Sequence, residues 1–255
     1  MPSMTNTFKA AIKAKQAQIG LWQSLASPYT TELCAGAGFD FLVIDGEHSP
    51  NDIPSIMAQL QAMKGSPSQA IVRPPVGETS LIKQVLDIGA QTVLVPIVET
   101  VAQAQQLVAA VRYPPLGVRG VAGLTRATYF GKVPDYLKRA NDEVCLLVQV
   151  ETRKGLDNLN EIAAVDGVDG VFIGPADLSA ALGHLGNPTH PEVRSTIEDC
   201  IKRIATVGKA PGILMADEAF AQRCLDLGAL FVAVNTDIGL FAQGVYATAA
   251  KYKRG

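Results

Sequence analysis

Gln149 and Glu151 lie two residues apart in the run Leu147-Val148-Gln149-Val150-Glu151. On a strand that spacing puts both side chains on one face, with Val148 and Val150 on the other. An enclosed carboxylate needs a partner, because burying it alone is costly. A divalent metal is one partner, an arginine is another, and a structural ion pair is the plain alternative. A second run, Gly170-Val171-Phe172-Ile173-Gly174-Pro175-Ala176-Asp177, reads as a strand, a Gly-Pro turn and a short helix opened by Asp177. The free amides at such a turn, around Gly174, Pro175 and Ala176, can receive a small carboxylate. Asp177 alone is as good an N-cap as a ligand. Paired with Glu151 it makes two hard oxygen donors, which suit Mg²⁺ or Mn²⁺ and leave positions open for a substrate.

His48, in Ile44-Asp45-Gly46-Glu47-His48, follows another apolar run and has the chemistry of a general base near neutral pH. Asp45 and Glu47 are close enough in sequence to orient it. Arg73 ends a third run and precedes Pro74 and Pro75, which stiffen its turn. A guanidinium there holds a carboxylate or an enolate with its planar fork, or else serves a salt bridge. No Lys ends a strand candidate, so a Schiff-base nucleophile is missing. No P-loop and no G-x-S-x-G is present. Cys34, Cys145, Cys200 and Cys224 are scattered and read as reduced thiols of a cytoplasmic protein. His48, His184 and His190 are too few and too dispersed for a His-rich zinc site.

The elements that position these residues recur as one unit: an amphipathic run, a glycine, then a short apolar run. Strand candidates are Ile19–Trp22, Phe41–Ile44, Ala70–Val72, Thr92–Val95, Cys145–Val150, Gly170–Ile173, Gly212–Met215 and Phe231–Val234. Helical patterns fall between them, at Ile53–Met63, Ser80–Ile88, Ala102–Val111, Leu156–Ala164, Glu192–Val207 and Glu218–Leu227. Near-continuous apolar strands imply burial on both faces, hence a parallel sheet. Eight βα units in 255 residues close most simply into one (β/α)₈ TIM barrel over residues 1–255; a doubly wound open sheet is the alternative. Strand ends then converge on one rim carrying Asp45, Glu47, His48, Arg73, Gln149, Glu151, Asp177, Asp217, Asn235 and Asp237. Ser27 and Pro28 read as an N-cap and an N1 proline. The irregular stretch from Tyr113 to Val133, with Arg119 and Arg126, is expected to cover that rim or to form a subunit contact.

Composition excludes other classes. Lys plus Arg is 22 and Asp plus Glu 24, without a basic stripe, so a nucleic-acid partner is not expected. No apolar run is long enough to span a membrane, and the polar N-terminus does not read as a signal peptide.

The segments "FLVIDGEHSPND", "IVRPP", "LVPIVET", "YPPLGVRGVAG", "LVQVETRKGLDNL" and "GVDGVFIGPADLSAALG" resemble the HpcH/HpaI aldolase family, from about Phe8 to about Ala250. The resemblance implies a class II pyruvate aldolase on a (β/α)₈ barrel, dependent on Mg²⁺ or Mn²⁺, with Co²⁺ admissible. It implies Glu151 and Asp177 as metal ligands, and Gln149 and Ala176 as contacts of the pyruvyl group. It implies His48 as base, Arg73 as stabiliser of the transition state, and Asp87 as the acid that supports His48 across a subunit contact. Asp87 otherwise reads as an ordinary late-helix residue. The implied reaction cleaves 4-hydroxy-2-oxoheptanedioate, an intermediate of homoprotocatechuate breakdown, to pyruvate and succinate semialdehyde. The implied assembly is a hexamer built from dimers. Asn235 departs from the pattern, where related sequences often carry Gly, and bears on fine substrate preference. Alternatives are a 2-keto-3-deoxy sugar-acid aldolase of the same family, an acyl-CoA lyase of the citrate-lyase type, and a non-catalytic barrel that binds oxalate-like acids.

Overall fold

The computed structural model describes residues 4–253. Eight parallel strands close a barrel in sequence order, with β8 pairing back onto β1. They are β1 (Gln18–Gln23), β2 (Phe41–Asp45), β3 (Gln69–Arg73), β4 (Thr92–Val95), β5 (Cys145–Val150), β6 (Gly170–Ile173), β7 (Ala210–Leu214) and β8 (Phe231–Thr236). The helices are α1 (Thr7–Lys13), α2 (Pro28–Ala35), α3 (Ile53–Ala62), α4 (Thr79–Asp87), α5 (Val101–Val111), α6 (Tyr136–Glu143), α7 (Arg153–Asp157), α8 (Leu159–Ala164), α9 (Pro175–Ala181), α10 (Pro191–Thr206), α11 (Glu218–Asp226) and α12 (Asp237–Tyr252). The barrel expectation holds. Each strand candidate overlaps an observed strand, with ends moved by up to two residues; two extensions carry Asp45 and Arg73 into the sheet. The Leu156–Ala164 pattern is two short helices, α7 and α8, meeting at Asn158. Ser27 caps α2 and Pro28 opens it, as expected.

Alternation along each strand builds two cores. Outward residues such as Leu42, Ile44, Val72, Val93, Val148 and Val150 pack under the helices. Inward residues, including Phe41, Ile71, Leu94, Leu147, Phe172 and Phe231, fill the barrel. Gly20 and Gly212 make that filling possible: a Cβ on either would overlap the ring of Phe41 or Phe231. Helix α1 closes the end of the barrel where strands begin. Phe8 is fully buried there, edge-on to Phe41 at 5.5 Å and to Phe231 at 5.9 Å between centroids. Asn6 caps α1 through Oδ1 and donates its amide to Gln91 O and Thr92 Oγ1.

The long loop corrects an expectation. It lies between α5 and α6, on the helix-to-strand side, and so at the opposite end from the rim. Arg126 donates to Ile88 O and Leu60 O, at the ends of α4 and α3. The Ala127 amide donates to Asp87 O. Placing the loop from strand four alone overlooks α5, which reverses the chain direction before the loop begins. Within one chain it does not cover the rim.

Candidate active site

The inward positions at the carboxyl ends of β1, β2, β3 and β5 carry Trp22, Asp45, Arg73, Gln149 and, one step on, Glu151. Arg73 is buried and held as a fork: Nε donates to Asp45 Oδ1 at 2.9 Å and Nη2 to Asp45 Oδ2 at 2.7 Å. Its Nη1 pairs with Glu47 Oε2 at 2.6 Å. The guanidinium carbon stands 4.7 Å from the centroid of the Trp22 ring, and Trp22 Nε1 donates to Asp45 Oδ2 at 3.1 Å. Burial pushes the Asp45 carboxyl up, but Arg73 and Trp22 outweigh it and hold it below its usual range. Burial raises Glu47 above its usual range against the pull of Arg73. Asp45 Oδ1 also receives the amides of Glu47 and His48, so it fixes the loop that presents the histidine. It does not orient the imidazole itself. The His48 side chain is 66% exposed, with Nε2 3.9 Å from Glu47 Oε2.

Glu151 is placed differently. It is 3% exposed and has no cation in contact among the described residues. Gln149 Nε2 donates to its Oε2 at 2.6 Å, and the Ile97 amide to its Oε1 at 3.3 Å. Burial, aided by the charges of Asp177 and Glu47, pushes Glu151 up to about 7 despite the Gln149 hydrogen bond. Asp177 lies in the first turn of α9, but Gly174 is the N-cap and no side chain caps the helix. The reading of Asp177 as a plain N-cap therefore fails. Gly174 faces Glu151, and a Cβ there would overlap Oε2. Gln149 Oε1 is buried without a partner. Oxygen donors crowded together, one carboxylate lacking a counter-cation and one amide oxygen left over: this set fits a hard divalent cation better than any side chain present.

Ile97 was not anticipated. Its φ of +55° is rare for a β-branched residue, and it aims the amide at Glu151. Only the preceding proline hints at an unusual turn. Trp22, at an inward position of β1, could have been found by alternation with Gly20.

Other rim candidates have partners within the fold. Asp217 caps α11 and pairs with Arg194 at 2.6 Å. Asp237 is buried and receives the amides of Ser24 and Leu25. Asn235 Oδ1 accepts from the Thr236 amide. Lys154 pairs with Glu99, and Lys209 donates to Val165 O and Val168 O before β7, so neither lysine stands as a nucleophile. All four cysteines are free, and three are buried. Asp87 ends α4 beside the long loop, where Arg119 Nη2 donates to Oδ1 at 2.8 Å. That is the end of the barrel opposite His48, so one chain does not bring the two together. His184 and His190, expected to be dispersed, stack with ring centroids 3.5 Å apart.

The profile of the HpcH/HpaI aldolase/citrate lyase family matches residues 18–244. A hydroxypyruvate/pyruvate aldolase of Deinococcus radiodurans is 62% identical over 98% of this chain and 91% of its own length. A 4-hydroxy-2-oxo-heptane-1,7-dioate aldolase of Klebsiella pneumoniae is 58% identical over 98% and 94%. The crystal structure of an HpcH/HpaI aldolase/citrate lyase family protein of Burkholderia cenocepacia superposes with a TM-score of 0.93 at 39% identity, covering 97% of this chain and 99% of that one.

Proposed function

Because the chain belongs to the HpcH/HpaI aldolase/citrate lyase family, we propose that its rim cleaves a 4-hydroxy-2-oxo acid to pyruvate and an aldehyde, with 4-hydroxy-2-oxoheptanedioate as substrate and succinate semialdehyde as the second product. The enzyme is a carbon–carbon lyase. The observation that carries the reading is Glu151: a buried carboxylate pushed up to about 7, beside Asp177, with no cation in contact among the described residues.

Glu151 and Asp177 would hold the divalent ion, Mg²⁺ or Mn²⁺. When bound it supplies Lewis-acid polarisation of the 2-oxo group. Gln149 keeps the Glu151 carboxylate in place and contacts the pyruvyl group, beside the turn of Gly174, Pro175 and Ala176. His48, exposed on the rim, takes the proton of the C4 hydroxyl as the C3–C4 bond breaks; the electron pair of that bond becomes the enolate, which takes a proton at C3 to give pyruvate. Asp87 of a neighbouring copy supports His48. Arg73, held by Asp45 and Glu47, puts a fixed positive charge beside the developing enolate, a charge present only during reaction. The same groups run the aldol addition in reverse. Exposed apolar residues on α12 (Leu240, Phe241, Val245) and on the long loop (Val121, Leu124, Phe130) support a homo-oligomer, which we propose to be a hexamer built as a trimer of dimers. Among the described residues no helix is long and apolar enough to cross a membrane, and the free thiols support a cytoplasmic setting.

The Deinococcus relative favours a second reading, in which hydroxypyruvate serves as the nucleophile as well as pyruvate. Pyruvate and hydroxypyruvate are tested against an aldehyde panel with Mn²⁺, with and without EDTA. Chelation and Glu151→Gln should each abolish turnover, and succinate semialdehyde with pyruvate should be the preferred pair. Full activity in excess chelator, or borohydride trapping of a pyruvate adduct, would overturn the mechanism. A preference for hydroxypyruvate selects the second reading.

A further inference from the structure

A second group of metal-ligating side chains lies outside the rim carboxylates. The loop between α9 and α10 carries His184 and His190, and Glu192 follows in the first turn of α10. One ligand atom from each lies within 4.8 Å of the others. His184 Nε2 is 2.7 Å from Glu192 Oε2. The two imidazoles stack at 3.5 Å between centroids with 15° between planes.

The backbone fixes this arrangement. The His184 amide donates to Ser179 O at 2.7 Å, the Asn187 amide to His184 O at 2.9 Å, and the His190 amide to Asn187 O at 3.1 Å. Gly183 (φ +90°) and Gly186 (φ +76°) take left-handed conformations that let the loop double back and bring His184 against His190. His190 is the N-cap of α10 and receives the Glu192 amide on Nδ1 at 3.2 Å. The backbone of all three ligands is thus anchored at the ends of two helices, and an ion would have only their side chains left to order.

We propose that His184, His190 and Glu192 form a second metal site, for a borderline divalent ion of the Zn²⁺ class and not for Mg²⁺. Two imidazoles and one carboxylate are a set that such ions prefer, with water as fourth ligand. Tetrahedral bonds of ~2.0–2.1 Å space donors roughly 3.4 Å apart, so modest side-chain rotations that unstack the rings complete the site. The ion would take the place of the hydrogen bond between His184 Nε2 and Glu192 Oε2, with the imidazole carrying its N–H on Nδ1. It ties the end of α9, the helix that presents Asp177, to the start of α10.

The test titrates metal-stripped enzyme with Zn²⁺ against a chromogenic chelator, and with Co²⁺ by visible absorption. Wild type should take up two ions per chain. His184→Ala should take up one and keep its Mg²⁺-dependent activity. Glu151→Gln should also retain one, with the absorption of nitrogen-ligated Co²⁺. The double variant should lose both, affinity at the second site falling by at least ~100-fold, since losing even an outer-shell partner costs ~10–100-fold. His190→Asn keeps a capping side chain and should lose the same ion. The proposal is overturned if Glu151→Gln binds Zn²⁺ equally well with and without His184, or if His190→Asn binds as wild type does. If the rim reading is the one at fault, Glu151→Gln keeps two ions while His184→Ala still drops to one.

Discussion

The two ends of the barrel handle buried charge in opposite ways. Where strands begin, Asn6 satisfies an amide, a carbonyl and a hydroxyl at once, Phe8 seals the interior, and the charge of Arg119 is neutralised by Asp87, although Arg119 Nε and the Tyr113 hydroxyl are buried without a hydrogen-bond partner among the described residues. Where strands end, Glu151 is buried without a cation and Gln149 Oε1 without a partner among the described residues, and Ile97 sits at positive φ. Both ends rest on the same sheet, so the difference is not a matter of architecture. At one end the buried charge is paired within the fold; at the other Glu151 has no counter-cation among the described residues, a charge that the proposed ion and substrate would complete.

Breaking the sealed end should cost stability and spare chemistry. Phe8→Ala removes a fully buried ring that contacts Phe41 and Phe231, and should destabilise by ~3–5 kcal/mol. Denaturant unfolding measures the loss, and turnover per folded molecule should stay within about twofold. A large fall in turnover with little change in stability would make the seal part of the catalytic apparatus.

At the rim the converse holds. Arg73→Lys keeps the charge but cannot hold Asp45 bidentately while reaching Glu47. It should lower aldol cleavage, oxaloacetate decarboxylation and pyruvate proton exchange together, by ~10²–10³. His48→Ala should depress aldol cleavage by ~10²–10⁴ and spare decarboxylation more, because the latter has no C4 hydroxyl. Equal losses in both reactions for His48→Ala would remove its role as hydroxyl base.

Glu151 gives the comparison a pH axis. Its folded value of about 7 lies above the ordinary carboxylate value, so the folded, metal-free protein binds this proton more tightly than the unfolded chain. The contribution is fully present below about pH 4.5 and is lost as pH rises through 7. Glu151→Gln should therefore stabilise the metal-free protein above pH 7, by at most about 3 kcal/mol, and leave it unchanged near pH 4. Melting curves in chelator at the two pH values check the sign. Equal melting shifts at both would show that Glu151 is not strained by burial.

The barrel was legible because its strands are near-continuous apolar runs, and the rim because polar residues stand where those runs end. Gln149 and Glu151 were readable from a spacing of two, Arg73 from its place before two prolines. Three features were not. The loop from Tyr113 to Val133 does not cover the rim of its own chain, since its position depends on α5 reversing the chain. Asp87 has no local signature and lies beside Arg119, away from His48. His184 and His190 are six residues apart and meet only because two glycines fold the loop back.

Not every polar group at the rim is part of the site, and Thr100 tests that boundary. It caps α5 three residues after Ile97, receiving the Gln103 amide, while Gln103 Oε1 accepts the amides of Glu99 and Thr100. This capping box resembles the satisfied polar groups of the sealed end rather than the open carboxylates beside it. Thr100→Ala should cost ~1 kcal/mol, and Thr100→Ser, which keeps the acceptor, markedly less. In a chain of this size a loss of 1 kcal/mol lowers Tm by roughly 2–4 °C. Turnover with saturating Mn²⁺ should be unchanged in both variants. A tenfold fall in Thr100→Ala at unchanged metal affinity would show that the turn from Ile97 to Thr100 relays strain to Glu151, and the line between satisfied and unsatisfied groups would then lie deeper in the fold than the hydrogen bonds place it.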